Sequence, residues 1–402
     1  MTQTHHPTQN ASNFYGLGIA PKLLEALDKM KFTEPTPIQQ KAIPVAIEGL
    51  DVIGIAQTGT GKTLAFAIPM IQRIARVQGR GLVILPTREL ALQVEEVFQR
   101  VGRTFGLKTA ILIGGASMQP QLMALRKNPH VVIGTPGRII DHLTQKSLHL
   151  NDVNVLVLDE ADRMLDMGFA PQIKRILVAV PRDRQTMLFS ATMPDQIVKI
   201  AATHMKLPVR VEIARAGTAA ENVEQEIFML RKDEKHIQLQ KTLEEYRGAI
   251  LVFCRTKFGA QRITRAVRGM DHSAAEIHSD RSLAQRREAL EGFKKGKYRI
   301  LIATDIASRG IDVKGIELVI NYDIPDNPED YVHRIGRTGR AGLAGRAISF
   351  VTPDQRSKVK DIEKLVRTVL LGGKDAEKIQ PERPHQPFGR ARRQQPARMR
   401  RR

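Results

Sequence analysis

Three short stretches of this 402-residue chain carry side chains at spacings that can do chemistry. The first is Ala56-Gln57-Thr58-Gly59-Thr60-Gly61-Lys62-Thr63, which ends the apolar run Val52–Ala56 and opens a helical pattern at Leu64, Ile68, Ile71 and Ala75. A glycine-rich loop between strand and helix turns backbone N–H groups and a helix N-terminus toward an anion, which makes it a phosphate cradle. Lys62 is then placed to reach the β- and γ-phosphates of a nucleotide, and the Thr63 hydroxyl to ligate Mg²⁺. Ala56 stands where such loops usually begin with glycine. Two other Gly-Lys pairs, Gly296-Lys297-Tyr298 and Gly373-Lys374-Asp375, lack the hydroxyl residue, so one nucleotide site is expected. The second stretch, Asp159-Glu160-Ala161-Asp162, follows the apolar run Val155–Leu158. Carboxylates at the C-terminal end of a buried parallel strand face the crevice where such sheets bind ligands. Asp159 suits Mg²⁺, directly or through water, and Glu160 suits orienting and deprotonating an attacking water. An acidic cluster after a strand is by itself more often a helix N-terminus, but the phosphate loop upstream reverses that balance. The third stretch is His333-Arg334-Ile335-Gly336-Arg337-Thr338-Gly339-Arg340, where Asn327-Pro328-Glu329 starts a short helix ahead of the arginines. Taken alone it is equally a basic turn on a solvated face.

The elements that must hold these residues read as two series of buried strands. Val52–Ala56, Leu82–Leu85, Val131–Ile133, Val155–Leu158 and Thr186–Phe189 form the first, and Ala249–Phe253, Ile300–Ala303, Leu318–Ile320 and Ala347–Val351 the second. Continuous rather than alternating apolar runs mean that both sheet faces are covered, which is the mark of a parallel sheet in an α/β fold. Ala214–Glu221 has no core-forming pattern and separates the series. The organisation expected is a flexible N-terminus (1–13), a nucleotide-binding lobe (14–210), a linker (211–221), a second lobe (222–372) and a disordered tail (373–402).

Composition narrows the partners. The formal charge is +21, with 42% apolar and 26% charged residues, so each half can bury a normal core. Residues 1–210 carry 24 basic and 16 acidic side chains, 211–380 carry 31 and 25, and 381–402 carry eight Arg against Glu382 alone. A basic excess in both halves and in the tail favours a polyanion, nucleic acid before membrane, over a merely soluble basic surface. No apolar run approaches the ~18 residues of a membrane span, and Met1–Asn10 has no signal-peptide core. One cysteine, Cys254, excludes an internal disulfide and a cysteine zinc site, which suits a reducing cytoplasm. The tail predicts a measurable effect. Deleting 381–402 should weaken nucleic-acid affinity at low salt and flatten its salt dependence, because each phosphate contact on a single strand contributes a slope near ~0.7. Parallel salt slopes with and without the tail would eliminate that tether.

Asp-Glu-Ala-Asp after its strand, with the other motifs in order, resembles the DEAD-box ATP-dependent RNA helicases of superfamily two over about residues 14 to 350. The resemblance implies two tandem RecA-like lobes, ATP and Mg²⁺ as cofactors, and RNA as the partner, recognised by backbone. It also points to ribonucleoprotein, RNA-decay or ribosome-assembly proteins as partners, none of which the residues name. Phe14 and Lys31–Gln39 resemble the adenine-recognition segment, in which Phe14 would stack on the base and Gln39 bond its edge. Without the family these two would be a core aromatic and a surface amide. Pro86-Thr87-Arg88-Glu89-Leu90-Ala91, Gly114-Gly115 and Thr135-Pro136-Gly137-Arg138 resemble the RNA-backbone contacts of the first lobe, with Thr87, Arg88, Gly115, Thr135 and Arg138 as the candidates. Ser190-Ala191-Thr192 resembles the segment that links nucleotide state to strand separation, with Asp162 as its counterpart. In the second lobe Arg255, Thr304 and Arg309 would lie on RNA. Gly310 and Asp312 would lie on the nucleotide, Asp312 on its ribose. His333 belongs to the catalytic set, and Arg337 and Arg340 resemble arginine fingers. Cys254 is a packed small hydrophobe, since no His/Asp constellation accompanies it. Ser279 in Ile277-His278-Ser279-Asp280 departs from the family's usual glycine. Asp159–Phe169 and Arg255–Ala260 resemble the bacterial RhlE type. The function implied is RNA-stimulated ATP hydrolysis coupled to lobe closure and local unwinding of RNA duplexes. A nucleotide-gated RNA clamp without turnover and a DNA translocase are the alternatives.

Overall fold

The computed structural model describes residues 13–57, 59–213, 223–305, 313, 315–339 and 344–371. The expectations for Thr58, Arg309, Gly310, Asp312, Arg340, most of the linker and the tail lie outside them.

In the first lobe, β1 (Val52–Ile55), β2 (Arg80–Ile84), β3 (Thr109–Leu112), β4 (Val131–Gly134), β5 (Val153–Leu158), β6 (Gln185–Ser190) and β7 (Val209–Glu212) form one sheet in the order β3-β4-β2-β5-β6-β1-β7. Every described pairing is parallel, with Val52 opposite Met187 and Leu82 opposite Leu156. Helices α1 (Pro21–Lys29), α2 (Pro37–Ile47), α3 (Lys62–Arg76), α4 (Arg88–Gly102), α5 (Met118–Arg126), α6 (Pro136–Thr144), α7 (Ala161–Asp166), α8 (Ala170–Ala179) and α9 (Asp195–His204) accompany it. Strand periodicity splits the core in two. Val83, Val155, Val157, Met187 and Phe189 face one layer with Phe66 and Phe98, whereas Leu82, Ile84, Leu156, Leu158 and Leu188 face the other. Each such side chain, fully buried, stabilises the lobe by roughly 1.5–3 kcal/mol, so the strand ends that carry the candidate loops are held firmly.

The second lobe repeats the plan. Strands β8 (Val223–Met229), β9 (Ala249–Phe253), β10 (Ala274–Ile277), β11 (Ile300–Ala303), β12 (Ile316–Asn321) and β13 (Gly345–Val351) form a parallel sheet in the order β10-β11-β9-β12-β13-β8. Helices α10 (Glu234–Glu245), α11 (Lys257–Gly269), α12 (Leu283–Lys294), α13 (Pro328–Ile335) and α14 (Arg356–Val366) pack with it. Two parallel-sheet α/β lobes are thus what the buried runs required. Among the described residues no helix is long and apolar enough to cross a membrane. β7 runs to Glu212, two residues beyond the expected lobe boundary at 210, because Arg210 and Val211 pair with Ile53 and Gly54.

Candidate active site

The order of the first sheet sorts the candidate loops into two groups. Those read as nucleotide-binding follow β1, β5 and β6, while those read as RNA-binding follow β2, β3 and β4 on the other half of the sheet. Both groups emerge at the C-terminal edge, where open parallel sheets bind ligands.

The phosphate loop is shaped by its neighbours. Ala56 N donates to Ser190 O at 3.0 Å, Thr60 Oγ1 to Gln57 O at 2.7 Å and Lys62 Nζ to Ala56 O at 3.1 Å. Gly61 caps α3 at φ +91°, and a Cβ there would lie 2.5 Å from Gln39 Nε2 and 2.8 Å from Thr36 Oγ1, so glycine is required twice over. Gly59 also has positive φ, and Thr63 is half-buried at the first turn of α3. Gln39 is 3% exposed, and its amide donates to Gly61 O at 2.9 Å while accepting from Thr36 N at 2.9 Å. It therefore ties the start of α2 to the loop and is not a surface amide. Phe14 is 3% exposed, in the core layer that holds Leu23, Leu27 and Ile43.

The acidic cluster lies across from Lys62. Asp159 is 2% exposed, with Oδ1 accepting from Glu160 N at 2.9 Å and lying 3.8 Å from Lys62 Nζ. Burial pushes its carboxyl up to about 6, against the opposing pull of Lys62. A buried carboxylate with one loosely placed cation offers hard oxygen donors of the kind that fit Mg²⁺. Glu160 holds φ +52° and ψ +49°, a left-handed conformation that costs a non-glycine residue roughly 1–2 kcal/mol. Its Oε2 accepts from Arg163 Nη1 at 3.0 Å, with both side chains 3% exposed. Asp162 joins this cluster to the end of β6. Its Oδ2 accepts from Ala191 N at 3.0 Å, Thr192 N at 2.9 Å and Thr192 Oγ1 at 3.1 Å, and its own N–H donates to Ser190 Oγ at 3.2 Å. A cavity of about 520 Å³ borders this junction, lined by Ala56, Gln57, Thr60, Asp162, Thr192 and, from the second lobe, Glu329.

The second lobe reaches the same cluster through the end of α13. His333 and Arg337 share a narrow crevice with Arg163 of the first lobe and with Asp305 and Arg334. Arg334 is 2% exposed and committed locally: Nε and Nη2 donate to the two oxygens of Asp305 at 2.6 and 2.7 Å, and Nη1 to Asn321 Oδ1 at 3.1 Å. Arg337, 4% exposed, follows the helix with its N–H on Arg334 O at 3.1 Å. Burial, then the guanidiniums of Arg163 and Arg337, push the His333 imidazole far below its ordinary value, while Asp162 and Glu160 oppose them. Its proton affinity is thus lower in the crevice than in water, and the closed crevice loses stability as pH falls below the ordinary imidazole value near 6.5. NMR of the His333 ring should therefore show a neutral imidazole at pH 5. A midpoint near 6.5 would mean that the crevice is not formed.

The RNA candidates of the first lobe converge. Thr87 caps α4 by accepting from Leu90 N at 3.3 Å, Thr135 precedes α6, and Arg138 Nη1 donates to Ala116 O at 3.1 Å. The Arg88 guanidinium lies against Gly114 and Gly115, where a Cβ on Gly115 (φ +71°) would strike it. Thr87, Arg88, Gly114, Thr135 and Arg138 line a groove of about 370 Å³, closed on its far side by Ser279 and Arg286 of the second lobe. Arg255 and Thr304 are not part of it. Arg255 N donates to Asp323 Oδ2 at 3.1 Å, and Thr304 sits just past β11 with its N–H on Ile277 O at 3.3 Å. Cys254 is fully buried, and burial pushes its thiol up to about 12, as a packed hydrophobe requires.

Sequence reasoning did not single out Arg163, Asp305 or Arg334. Arg163 was legible as an i,i+3 partner of Glu160, whereas the Asp305–Arg334 pair spans 29 residues with no local signal.

Known proteins match both lobes of the chain. Residues 36–200 match the family model described as DEAD/DEAH box helicase, and residues 232–342 that described as helicase conserved C-terminal domain. The chain is 44% identical over 344 residues to the ATP-dependent rRNA helicase RRP3 of Debaryomyces hansenii, covering 85% of this chain and 72% of that one. It is 44% identical over 366 residues to the DEAD-box ATP-dependent RNA helicase CshA of Streptococcus pneumoniae, covering 90% and 70%. Among solved structures, S. cerevisiae Dbp5 bound to RNA and ADP BeF3 superposes with a TM-score of 0.80 at 30% identity, over 89% of this chain and 94% of that one. A DEAD box protein from Methanococcus jannaschii gives 0.53 at 40% identity, over 89% and 98%. Fold similarity that runs against sequence identity is what a different disposition of two like lobes produces. Two matched helicase models across both lobes, and relatives aligned along most of its length, establish that the chain belongs to the DEAD-box ATP-dependent RNA helicases.

Proposed function

We propose that this chain hydrolyses ATP in response to RNA and uses the accompanying closure of its lobes to open short RNA duplexes locally, without processive travel. The observation that carries this reading is the crevice in which His333 and Arg337 of one lobe meet Arg163 of the other, with the charges of Asp162 and Glu160 acting on the imidazole. A site completed only by two lobes makes hydrolysis conditional on whatever draws them together, and a groove lined by both lobes gives RNA that role. In this reading Lys62 neutralises the β- and γ-phosphates, and Thr63 and Asp159 hold Mg²⁺. Mg²⁺, when bound, offsets charge on the transferred phosphoryl group. Glu160, held by Arg163, orients the attacking water and takes its proton, and Arg337 meets the charge that develops on the γ-phosphate. Gln39 couples the adenine-recognition segment to the loop, and Asp162 with Ser190 and Thr192 passes the state of the loop to the rest of the lobe. Thr87, Arg88, Gly115, Thr135 and Arg138 bind backbone phosphate without reading bases. Arg255 and Thr304 contribute outside the groove. Arg309, Gly310, Asp312 and Arg340 keep the roles given by their motifs, the protein acts in the cytoplasm, and it is of the RhlE-like type. The relatives named for rRNA or RNA helicase activity support an RNA substrate over DNA. A strand-separation assay on RNA duplexes of increasing length tests the proposal. Yield that falls steeply with duplex length supports local opening, and length-independent unwinding would contradict it.

A further inference from the structure

Apart from the groove between the lobes, the first lobe carries a larger cavity on its flank. Both helices that lead to it start among the RNA-binding candidates: α4 begins at Arg88 behind its cap Thr87, and α5 begins at Met118, three residues beyond Gly115. Phe98 and Val101 of α4 belong to one core layer and Leu125 of α5 to the other, so the two helices cover opposite faces of the sheet beside its edge strand β3. Between their far ends, over the start of β3, lies a cavity of about 920 Å³, against about 370 Å³ for the groove between the lobes. Arg100, Arg103, Lys108 and Lys127 line it, all exposed, with Glu96 as the carboxylate among them. Arg100 pairs with Glu96 one turn earlier. Among the described residues, Arg103, Lys108 and Lys127 have no carboxylate partner. Cations at a helix C-terminus complement its dipole, but each such end carries only about half a negative charge. Four cations against one carboxylate exceed that, and Lys108 opens a strand rather than closing a helix.

We propose that this flank cavity is a second binding site for RNA backbone, which takes the strand that leaves the groove between the lobes past Gly115. Its guanidinium and ammonium groups hold phosphate without reading bases, and Met123, 59% exposed, offers a base an apolar seat. An acidic peptide is the other polyanion that could lie here, by adding a strand to the open edge of β3. That edge is closed just past β3, because Gln121 Oε1 accepts from Ile113 N at 3.2 Å and Gln121 Nε2 donates to Ile113 O at 3.1 Å. Only Thr109–Leu112 is left to pair with, shorter than an ordinary strand of about 5–6 residues. Phosphate contacts need no such edge. For a strand already held between the lobes, the flank contact is intramolecular, so even weak contacts add to affinity. This inference rests on the reading that RNA occupies the groove between the lobes.

The test uses the full chain, the variant Arg103→Gln/Lys108→Gln/Lys127→Gln, and Arg103→Lys/Lys108→Arg/Lys127→Arg as a control that keeps the charge. Filter binding measures the affinity of each for poly(U) and for a uridine hexamer, which cannot fill both sites, at several salt concentrations. The tail is the same in all three proteins and cancels from the comparison. On poly(U) the Gln variant should show a salt slope shallower by about 2, so that the parent's advantage shrinks roughly 20-fold between 50 and 200 mM salt. Its affinity for the hexamer should match the parent's, and the control should follow the parent on both RNAs. Unaltered salt slopes on poly(U) overturn the proposal. An equal loss on the hexamer overturns it too, because the three cations would then act in the groove between the lobes. Capture of the parent but not the Gln variant by polyglutamate, with poly(U) binding unchanged, assigns the cavity to an acidic protein segment and likewise overturns it. A parent that binds neither RNA contradicts the RNA reading itself, a result distinct from the others.

Discussion

Replacing Lys62 by alanine is expected to reduce ATP turnover by at least ~10²–10³-fold, the scale seen when one preorganised electrostatic group is removed from a reacting site. Two effects combine. The ammonium group is the cation of the loop itself, 3.1 Å from Ala56 O. It also lies 3.8 Å from Asp159 Oδ1, and its charge is what holds down a carboxyl that burial already pushes up to about 6. Without Lys62 that carboxyl moves further toward its neutral form, which is the weaker ligand for any divalent cation. The variant should fold normally, because the α3 core residues Leu64, Phe66 and Ile68 are untouched. Thermal melting beside a coupled ATPase assay checks both statements. Near-normal turnover in a folded variant would remove Lys62 from the site.

Arg337→Ala should lower turnover by ~10³-fold or more, the contribution of an arginine finger to phosphoryl transfer. Its effect should be separable from nucleotide binding, because Arg337 belongs to the lobe that lacks the phosphate loop. The neighbouring Arg334 cannot substitute. Its guanidinium is fixed on both oxygens of Asp305 and on Asn321, and it stacks 5.1 Å from the centre of the Phe253 ring. Arg334→Ala is a different experiment: it removes a buried guanidinium that joins Asp305, Asn321 and Asp323 O, and should unfold the end of α13. ATP-analogue affinity within about threefold of the parent, with turnover lost, is the expected Arg337→Ala result. An unchanged rate would mean that closure does not bring Arg337 to the phosphate.

The strands and the first-lobe chemistry were legible for one reason: both depend on local pattern. Runs such as Val155–Leu158 announce a strand covered on both faces, and the loop that follows inherits its position. The strands that the apolar runs did not reveal are β3, β7, β8 and β10, and these are the four edges of the two sheets. Edge strands are covered less completely, so Val-Arg-Val-Glu in β7 and Val-Glu-Gln-Glu in β8 lack the continuous apolar signal. The same logic governs the site. Lys62, Asp159 and Glu160 could be read because strand, loop and helix are contiguous in the chain. The bond from Gln39 to Gly61, the Arg334–Asp305 pair and the Glu89–Arg286 contact join residues 22, 29 and 197 positions apart. No period or spacing encodes these contacts; they exist only once the sheets are assembled and the lobes meet.

The central claim is that RNA completes an ATPase site divided between two lobes. Steady-state ATP turnover of the purified chain, measured without nucleic acid, with a single-stranded RNA and with a DNA of equal length and sequence, tests it most directly. The account predicts low turnover alone, a large increase with RNA that saturates with RNA concentration, and little increase with DNA. Equal turnover in all three conditions would contradict it.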